Sequence, residues 1–169
     1  MRKRTRLLLA AATSTIAVTG TVTGFTVASA SPGTPQAASG TEYVQVMSAS
    51  TTPGPASAIA RGVFTAAGQA RLGNARIGTI VFPGGTIVLS HHADGGTSQF
   101  DPRTCLSVIS ESGTYQIVGG TGRYAEISGH GRYQLSLEIV AARAHGDCSS
   151  AQPPVAQQEL LRLSGPARI

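Results

Sequence analysis

Short stretches in which apolar and polar residues alternate cover the chain from residue 43 to its end. They are rich in Val, Ile, Thr and Tyr, are separated by Gly, Pro, Asp and Ser, and never keep helical spacing for three or four turns. This pattern is typical of an all-β domain. It predicts eight strands, over residues 43–47, 58–66, 75–82, 86–92, 105–111, 114–118, 131–144 and 155–163.

The turns between these strands are short. Pro-Gly-Gly at residues 83–85 predicts a hairpin, and Ser-Gly at residues 112–113 predicts a second one. Strands joined in this way pair antiparallel, and a sheet of eight strands without covering helices must close to bury its apolar face. The pattern therefore predicts one closed antiparallel β-barrel over residues 43–169.

The N-terminus has the organisation of an export signal. Four basic residues within the first six positions precede an apolar stretch, and the small triplet Ala-Ser-Ala ends at Ala30. We expect residues 1–30 to be a signal peptide cleaved after Ala30, and residues 31–42 to be a disordered lead. The alternative is a retained anchor, because residues 7–30 are long enough to span a bilayer, although Thr and Gly residues make the segment less apolar.

The net charge is much smaller when the predicted signal peptide is left out. The whole chain carries a formal charge of +5, but residues 31–169 hold nine Arg and eight acidic residues, a formal charge of +1. These arginines are isolated along the sequence. Binding to nucleic acid or to an anionic membrane needs clustered cationic charge, so neither is expected as a partner.

Cys105 and Cys148 are the two cysteines of the chain. An even number of cysteines in an exported protein indicates a disulfide, and the expected location is secreted or extracellular. Two free thiols are the alternative.

A glycine-rich stretch at residues 117–131, IVGGTGRYAEISGHG, indicates a protein family more specifically than the composition does. It resembles the Gly-Gly-x-Gly-x-aromatic-x-x-x-x-Gly motif of the allene oxide cyclase and dirigent barrel superfamily. The matching positions are Gly119, Gly120, Gly122, Tyr124 and Gly129. The chain also resembles secreted actinobacterial relatives of that group, through FDPRTC at residues 100–105 and Gly-Asp-Cys at residues 146–148.

The resemblance covers roughly residues 58–169 and implies an eight-stranded antiparallel barrel whose lumen takes an apolar small molecule. Plant members include an isomerase that cyclises an unstable fatty-acid epoxide and proteins that orient radicals for coupling. In dirigent proteins the motif continues to Ala-Arg-Gly, and its arginine helps to form the pocket. This chain has Ile127-Ser128-Gly129 there, so that chemistry is not carried over.

The motif has a structural interpretation of its own. Glycines permit a sharp turn after a strand, and residues 123–127 then make one helical turn that packs Tyr124 inward. The alternative, a phosphate-binding loop, needs a following helix that the sequence does not predict.

Alternation along three predicted strands directs single polar side chains towards the inner face. Tyr133 shares a face with aliphatic neighbours, His91 points inward while His92 points outward, and Glu159 lies on the face of Leu161. An inner carboxylate must be neutral or paired, and an inner histidine can hold it or act as a general base.

His91, Tyr133 and Glu159 are therefore candidate ligand-binding residues, and His91 and Glu159 are candidate catalytic residues. The alternatives are structural. A strand-end histidine can be a rim or core group, and Tyr133 can serve in packing alone.

No other chemistry stands out. His91 and His92 point to opposite faces of a strand and cannot chelate one ion together without a bulge, no His/Cys set has zinc spacing, and no Ser lies in a Gly-x-Ser-x-Gly elbow. The eight scattered acidic residues identify no glycosidase pair, which leaves that site type open. We expect neither a metal nor another cofactor.

Three functions are compatible with these features. The favoured one is a secreted barrel that binds a small apolar molecule in its lumen. The second is an isomerase, a cyclase or a dirigent-type guiding protein of the same fold, and the third is a non-catalytic surface protein whose barrel is filled by its own side chains. The formation of a homo-oligomer is also compatible with the sequence.

Overall fold

The computed structural model describes residues 37–52, 54–72 and 77–169. The predicted signal, its cleavage after Ala30 and most of the predicted lead lie outside the described residues. The described part contains ten strands and one short 3-10 helix, η1 (Gly122–Tyr124). The strands are β1 (Ser39–Ser48), β2 (Ala56–Arg61), β3 (Ala66–Leu72), β4 (Ile77–Phe82), β5 (Gly85–Asp101), β6 (Leu106–Gly120), β7 (Ser128–Val140), β8 (Ala142–Ala144), β9 (Asp147–Ser149) and β10 (Ala156–Arg168).

Eight of the strands form a closed barrel in the order β1-β10-β7-β6-β5-β4-β3-β2. All neighbours in it pair antiparallel. Strands β8 and β9 form a separate two-stranded sheet. The predicted all-β, closed, eight-stranded antiparallel barrel is confirmed.

Two errors in the predicted strands cancel in the strand count, and the predicted strand over residues 131–144 is in fact two strands, β7 and β8, which belong to different sheets. Residues 58–66 are not one strand, because the chain turns at Gly62, whose φ is 139°, between β2 and β3. The predicted turn at residues 112–113 does not exist, since β6 continues through it. Gly113 instead allows β6 to approach β5 closely, because a Cβ atom at this position would stand 2.0 Å from the His92 carbonyl oxygen. The other predicted hairpin is present, with Gly84 at a φ of 91°.

The barrel also begins earlier than predicted. Strand β1 starts at Ser39 and pairs with β10 over its whole length, from Ser39 opposite Arg168 to Ser48 opposite Glu159. The end of the predicted lead therefore belongs to the barrel. Glu42, the last residue of that predicted lead, is buried with 4% of its surface exposed.

One end of the barrel is filled by aromatic side chains. The rings of Phe64, Phe82 and Tyr124 pack with centroids 5.1 to 5.9 Å apart. The glycine motif makes this end possible, because Gly122 has a φ of 59° and a Cβ there would stand 2.0 Å from the Gly84 carbonyl oxygen. At Gly119 the space around a Cβ is open, and nothing in the structure requires glycine.

Small and large side chains face each other across the lumen. Strands β2 and β3 present alanines inward, among them Ala58, Ala60 and Ala70. Strands β6 and β7, which lie on the opposite wall in the strand order, present Tyr115 and Tyr133. A wall of short side chains leaves room for the long ones, which is how small barrels are packed.

Four strands extend beyond the other end of the barrel. Strand β5 pairs with β4 only as far as Ser90, but continues along β6 to Asp101 opposite Leu106. Strands β7 and β10 accompany them, and we call this four-stranded part the extension. The predicted disulfide is confirmed: Cys105 at the tip of the extension is bonded to Cys148 in β9, with an S–S distance of 2.07 Å.

Candidate functional site

A cavity of about 160 Å³ occupies the barrel end that opens towards the extension. The position of the cavity follows from the course of β6. This strand begins in the extension, passes the cavity residues Glu111 and Tyr115, and then reaches η1 at the aromatic end of the barrel. Aliphatic side chains form half of the lining, and the rest consists of two carboxylates, two phenols and one imidazole. The lining residues are Ile77, Gly78, Leu89, His91, Glu111, Tyr115, Tyr133, Leu135, Glu159, Leu161 and Leu163.

The structure places all three predicted ligand-binding residues on this cavity. His91 reaches it from β5, Tyr133 from β7 and Glu159 from β10. The His91 and Tyr133 rings meet edge to face, with centroids 5.5 Å apart and planes at 81°. His92, the next residue of β5, is exposed on the outer side.

Glu111 is a further site residue, which the sequence pattern did not reveal. Its Oε1 accepts a hydrogen bond of 2.6 Å from the Tyr133 hydroxyl. Burial, and then this bond to Glu111, raise the pKa of Tyr133 well above its ordinary value. Tyr133 is therefore a neutral hydrogen-bond donor and does more than pack. The signal that could have identified Glu111 is the alternation Glu111, Gly113, Tyr115, which runs through the wrongly predicted turn.

Glu159 lies half-buried at the open end of the lumen, opposite Ser48 of β1 and Leu137 of β7. Burial raises the pKa of its carboxyl above the ordinary value. Glu159 thus holds a proton more readily than a free glutamate, which suits a group that donates a hydrogen bond or exchanges a proton.

A third carboxylate, Glu42, lies deeper in the barrel. Its Oε2 accepts a hydrogen bond of 3.1 Å from the backbone N–H of Phe64, while Oε1 is buried with no hydrogen-bond partner in the described part of the chain. Burial raises the pKa of Glu42, against the lowering effect of nearby backbone N–H groups. Burial also raises the pKa of Tyr115, with a smaller contribution from Glu42. The Glu42 carboxyl is thus both a support for the turn after β2 and part of the lumen's acidic interior.

The cavity favours particular ligand chemistry. Its lining contains the two carboxylates of Glu111 and Glu159, and no Lys or Arg side chain among the described residues. Carboxylate oxygens accept hydrogen bonds. The site is therefore suited to a neutral or cationic molecule that donates hydrogen bonds and covers the aliphatic walls.

The glycine-motif residues lie away from this cavity and make a structural contact. The backbone N–H of Thr121 donates to the Thr86 carbonyl at 2.8 Å, and that of Arg123 donates to the Gly84 carbonyl at 2.9 Å. A phosphate-binding loop needs such N–H groups free to face the ligand. In this loop they join the β4–β5 turn to η1.

The described residues contain no group of three or more His, Cys, Asp or Glu side chains placed to hold a metal ion. In the same part of the chain, no helix is long and apolar enough to cross a membrane.

Comparison with known proteins adds no relative to this picture. No protein-family model, no curated protein and no solved structure matches the chain.

Proposed function

We propose that this protein is a secreted β-barrel that binds a small, mainly apolar molecule in its lumen. The cavity at the open end carries this proposal. An apolar cavity of about 150 Å³ holds a benzene molecule, so the 160 Å³ found here is suited to one six-membered ring or a short chain. Larger ligands extend out of the barrel, along the half-buried Leu137 and Ile139 of the extension.

The polar side chains of the cavity further restrict the class of ligand that fits it. The Glu111 carboxylate and the Tyr133 oxygen accept hydrogen bonds, and His91 lies beside them. A hydroxyl or amine on the ligand donates to these groups, while its apolar part contacts Leu89, Leu135 and neighbouring aliphatic side chains. Affinity then comes from apolar burial, and orientation comes from a few polar groups.

Export is part of the same proposal. A disulfide persists in oxidising compartments, and Cys105 is bonded to Cys148. This bond supports the interpretation of residues 1–30 as a signal peptide. The closed barrel and the tight turn at the glycine motif likewise support membership of the allene oxide cyclase and dirigent barrel superfamily.

A second function, an isomerase or cyclase, is favoured by one specific observation. Tyr133 donates to Glu111 beside His91, and the raised pKa of Glu159 puts a proton-exchanging group in the same cavity. An isomerisation by proton shift needs only such groups, because the proton removed at one carbon returns at another. The cavity would confine the reacting molecule and exclude water.

The ligand is tested by native mass spectrometry of the protein recovered from the culture medium of its host. We expect a discrete non-covalent adduct that is released on denaturation, and a polypeptide mass that corresponds to residues 31–169 with the disulfide closed. The variant Leu135→Trp, which fills the cavity, should lose the adduct. Val118→Trp is the matched control, since Val118 is exposed on the outer side of β6.

An adduct-free wild-type protein would contradict lumen binding if it also failed to bind phenol in a calorimetric titration. Equal adduct levels in both tryptophan variants would show that the ligand binds to a surface outside the lumen. For the second function, His91→Ala should abolish turnover of an identified ligand while weakening its binding far less.

A further inference from the structure

The outer face of strands β2, β1, β10 and β7 carries a second candidate site, and two residues of the barrel wall, Tyr133 and Leu163, line both this site and the lumen cavity. A depression of about 650 Å³ lies on this face. Three arginines line it, Arg61, Arg132 and Arg162, together with Tyr43, whose surface is 58% exposed. The arginines are isolated in the sequence, but the closed barrel brings them to one face. We call this depression the arginine face.

The strand register sets the spacing of the arginine face. Arg61 pairs with Tyr43, Tyr43 with Ser164, and Ser164 with Arg132, so these four residues form one row across four strands. With strands about 4.8 Å apart, Arg61 and Arg132 lie about 14 Å apart. Arg162 stands between them in the next row, with Gln45 on one side and Gln134 on the other.

The charge of this face is unbalanced. All three arginines are exposed, and no Asp or Glu occurs among the described residues that line the depression. Arg132 forms an exposed ion pair with Asp94 at 3.2 Å, outside the lining. Arg61 and Arg162 form no ion pair within residues 37–52, 54–72 and 77–169. The face therefore presents more positive charge than the formal charge of +1 over residues 31–169 suggests.

We propose that the arginine face binds a linear polysaccharide that carries carboxylate groups. The guanidinium group matches a carboxylate with two parallel hydrogen bonds. The exposed Tyr43 ring lies in the same row and offers a flat apolar surface for the face of a sugar ring. Gln45, Gln134 and Ser164 supply donors and acceptors for hydroxyl groups. The span of about 14 Å between the outer arginines suits a chain of successive sugars better than a single small anion.

Other macromolecules fit this face less well. Nucleic-acid binding rests on about 6–10 phosphate contacts and on several stacked aromatic side chains, whereas the lining has three arginines and one exposed tyrosine. A protein partner is usually held by an apolar centre with aromatic anchors, and here the outward apolar lining is Tyr43 and the half-buried Ile59.

The test is a calorimetric titration of the purified protein with polygalacturonate oligomers at low salt. Fully methyl-esterified oligomers of the same length are the uncharged control. The double variant Arg61→Gln/Arg162→Gln should weaken binding at least tenfold, and Tyr43→Ala should weaken it several-fold. The matched control is Arg71→Gln/Arg168→Gln, which removes the same charge from exposed positions outside the depression and should bind like wild type.

Binding that weakens with added salt and is lost on esterification would support the proposal. It is overturned if the acidic oligomer does not bind, if esterified oligomers bind equally, or if both double variants lose affinity alike. Tighter binding of a twelve-residue oligothymidine than of the acidic oligomer would overturn it in favour of nucleic acid.

Discussion

Tyr133 of β7 and Glu111 of β6 are joined inside the barrel mouth by a hydrogen bond of 2.6 Å from phenol to carboxylate. The two residues do not face each other directly in the register, where Tyr133 is opposite Gly113 and Glu111 is opposite Leu135. The bond is therefore diagonal, and Gly113 leaves the space that the Tyr133 ring occupies. A Cβ atom on Gly113 would stand 2.7 Å from Cε1 of that ring.

Replacing Tyr133 with Phe removes the donor and leaves Glu111 in a half-buried position without it. We expect a loss of about 1.5–3 kcal/mol in the free energy of unfolding, as for other hydrogen bonds to charged groups. Urea unfolding at pH 7 measures it. Tyr43→Phe is the control, because that hydroxyl is on an exposed ring, and its effect should stay within about 0.5 kcal/mol. An equal effect of the two variants would show that the Tyr133 bond adds nothing to stability.

A second prediction concerns the same glycine. Gly113→Ala should destabilise the protein by about 1–3 kcal/mol, the usual cost of overpacking, since its Cβ meets the His92 carbonyl oxygen as well as the Tyr133 ring. Gly119→Ala, six residues later on β6, should be tolerated because no atom lies within 4 Å of its Cβ. Thermal unfolding of both variants tests this contrast. Similar melting temperatures would contradict the close approach of β5 and β7 at Gly113.

The pH dependence of stability follows from the buried carboxyls. Burial raises the pKa of Glu42 and of Glu159 above the unfolded value of 4.5, so the folded protein binds these protons more tightly than the unfolded chain. Their contribution to stability therefore grows as the pH falls from above the raised values towards 4.5, and is lost as the pH rises through them.

The measurement is the urea midpoint at pH 5 and at pH 7 for the wild type and for Glu42→Gln/Glu159→Gln. The wild type should gain stability at pH 5 relative to the double variant, which lacks both titrations. Other groups, such as the exposed Asp101 with its lowered pKa, affect both proteins alike and cancel in the comparison. A constant difference between the two proteins at both pH values would refute this prediction.

Sequence alternation was enough to find the barrel and three of the side chains in its cavity, because a strand's inner face is set by a period of two. His91, Tyr133 and Glu159 each stand among aliphatic residues on one face, so their direction could be read locally. Glu111 was not predicted as a site residue because Ser112 and Gly113, which follow it, have the composition of a turn. In the folded chain Gly113 serves close strand contact, a role that depends on residues far away in the sequence.

Glu42 and the arginine face could not be predicted, for different reasons. Glu42 follows a small, polar stretch with the composition of a spacer, and its burial depends on the turn at Gly62 twenty residues later. The arginine face depends on closure between β1 and β10, the first and last strands of the barrel. Such a pairing leaves no trace in local composition, so arginines that meet across it are isolated in the sequence.

The unequal lengths of the strands have one more consequence. A closed barrel has no free strand edge, but within residues 37–52, 54–72 and 77–169 the outer half of β5 pairs with β6 alone, so its backbone lines an edge of the extension. Such edges recruit strands from other molecules unless charge, irregularity or short length prevents it. Here Asp94 and Asp101 lie on that half, and the register shifts between Ala93 and Gly95. These features favour a chain that resists edge-to-edge aggregation while keeping its cavity open beside the extension.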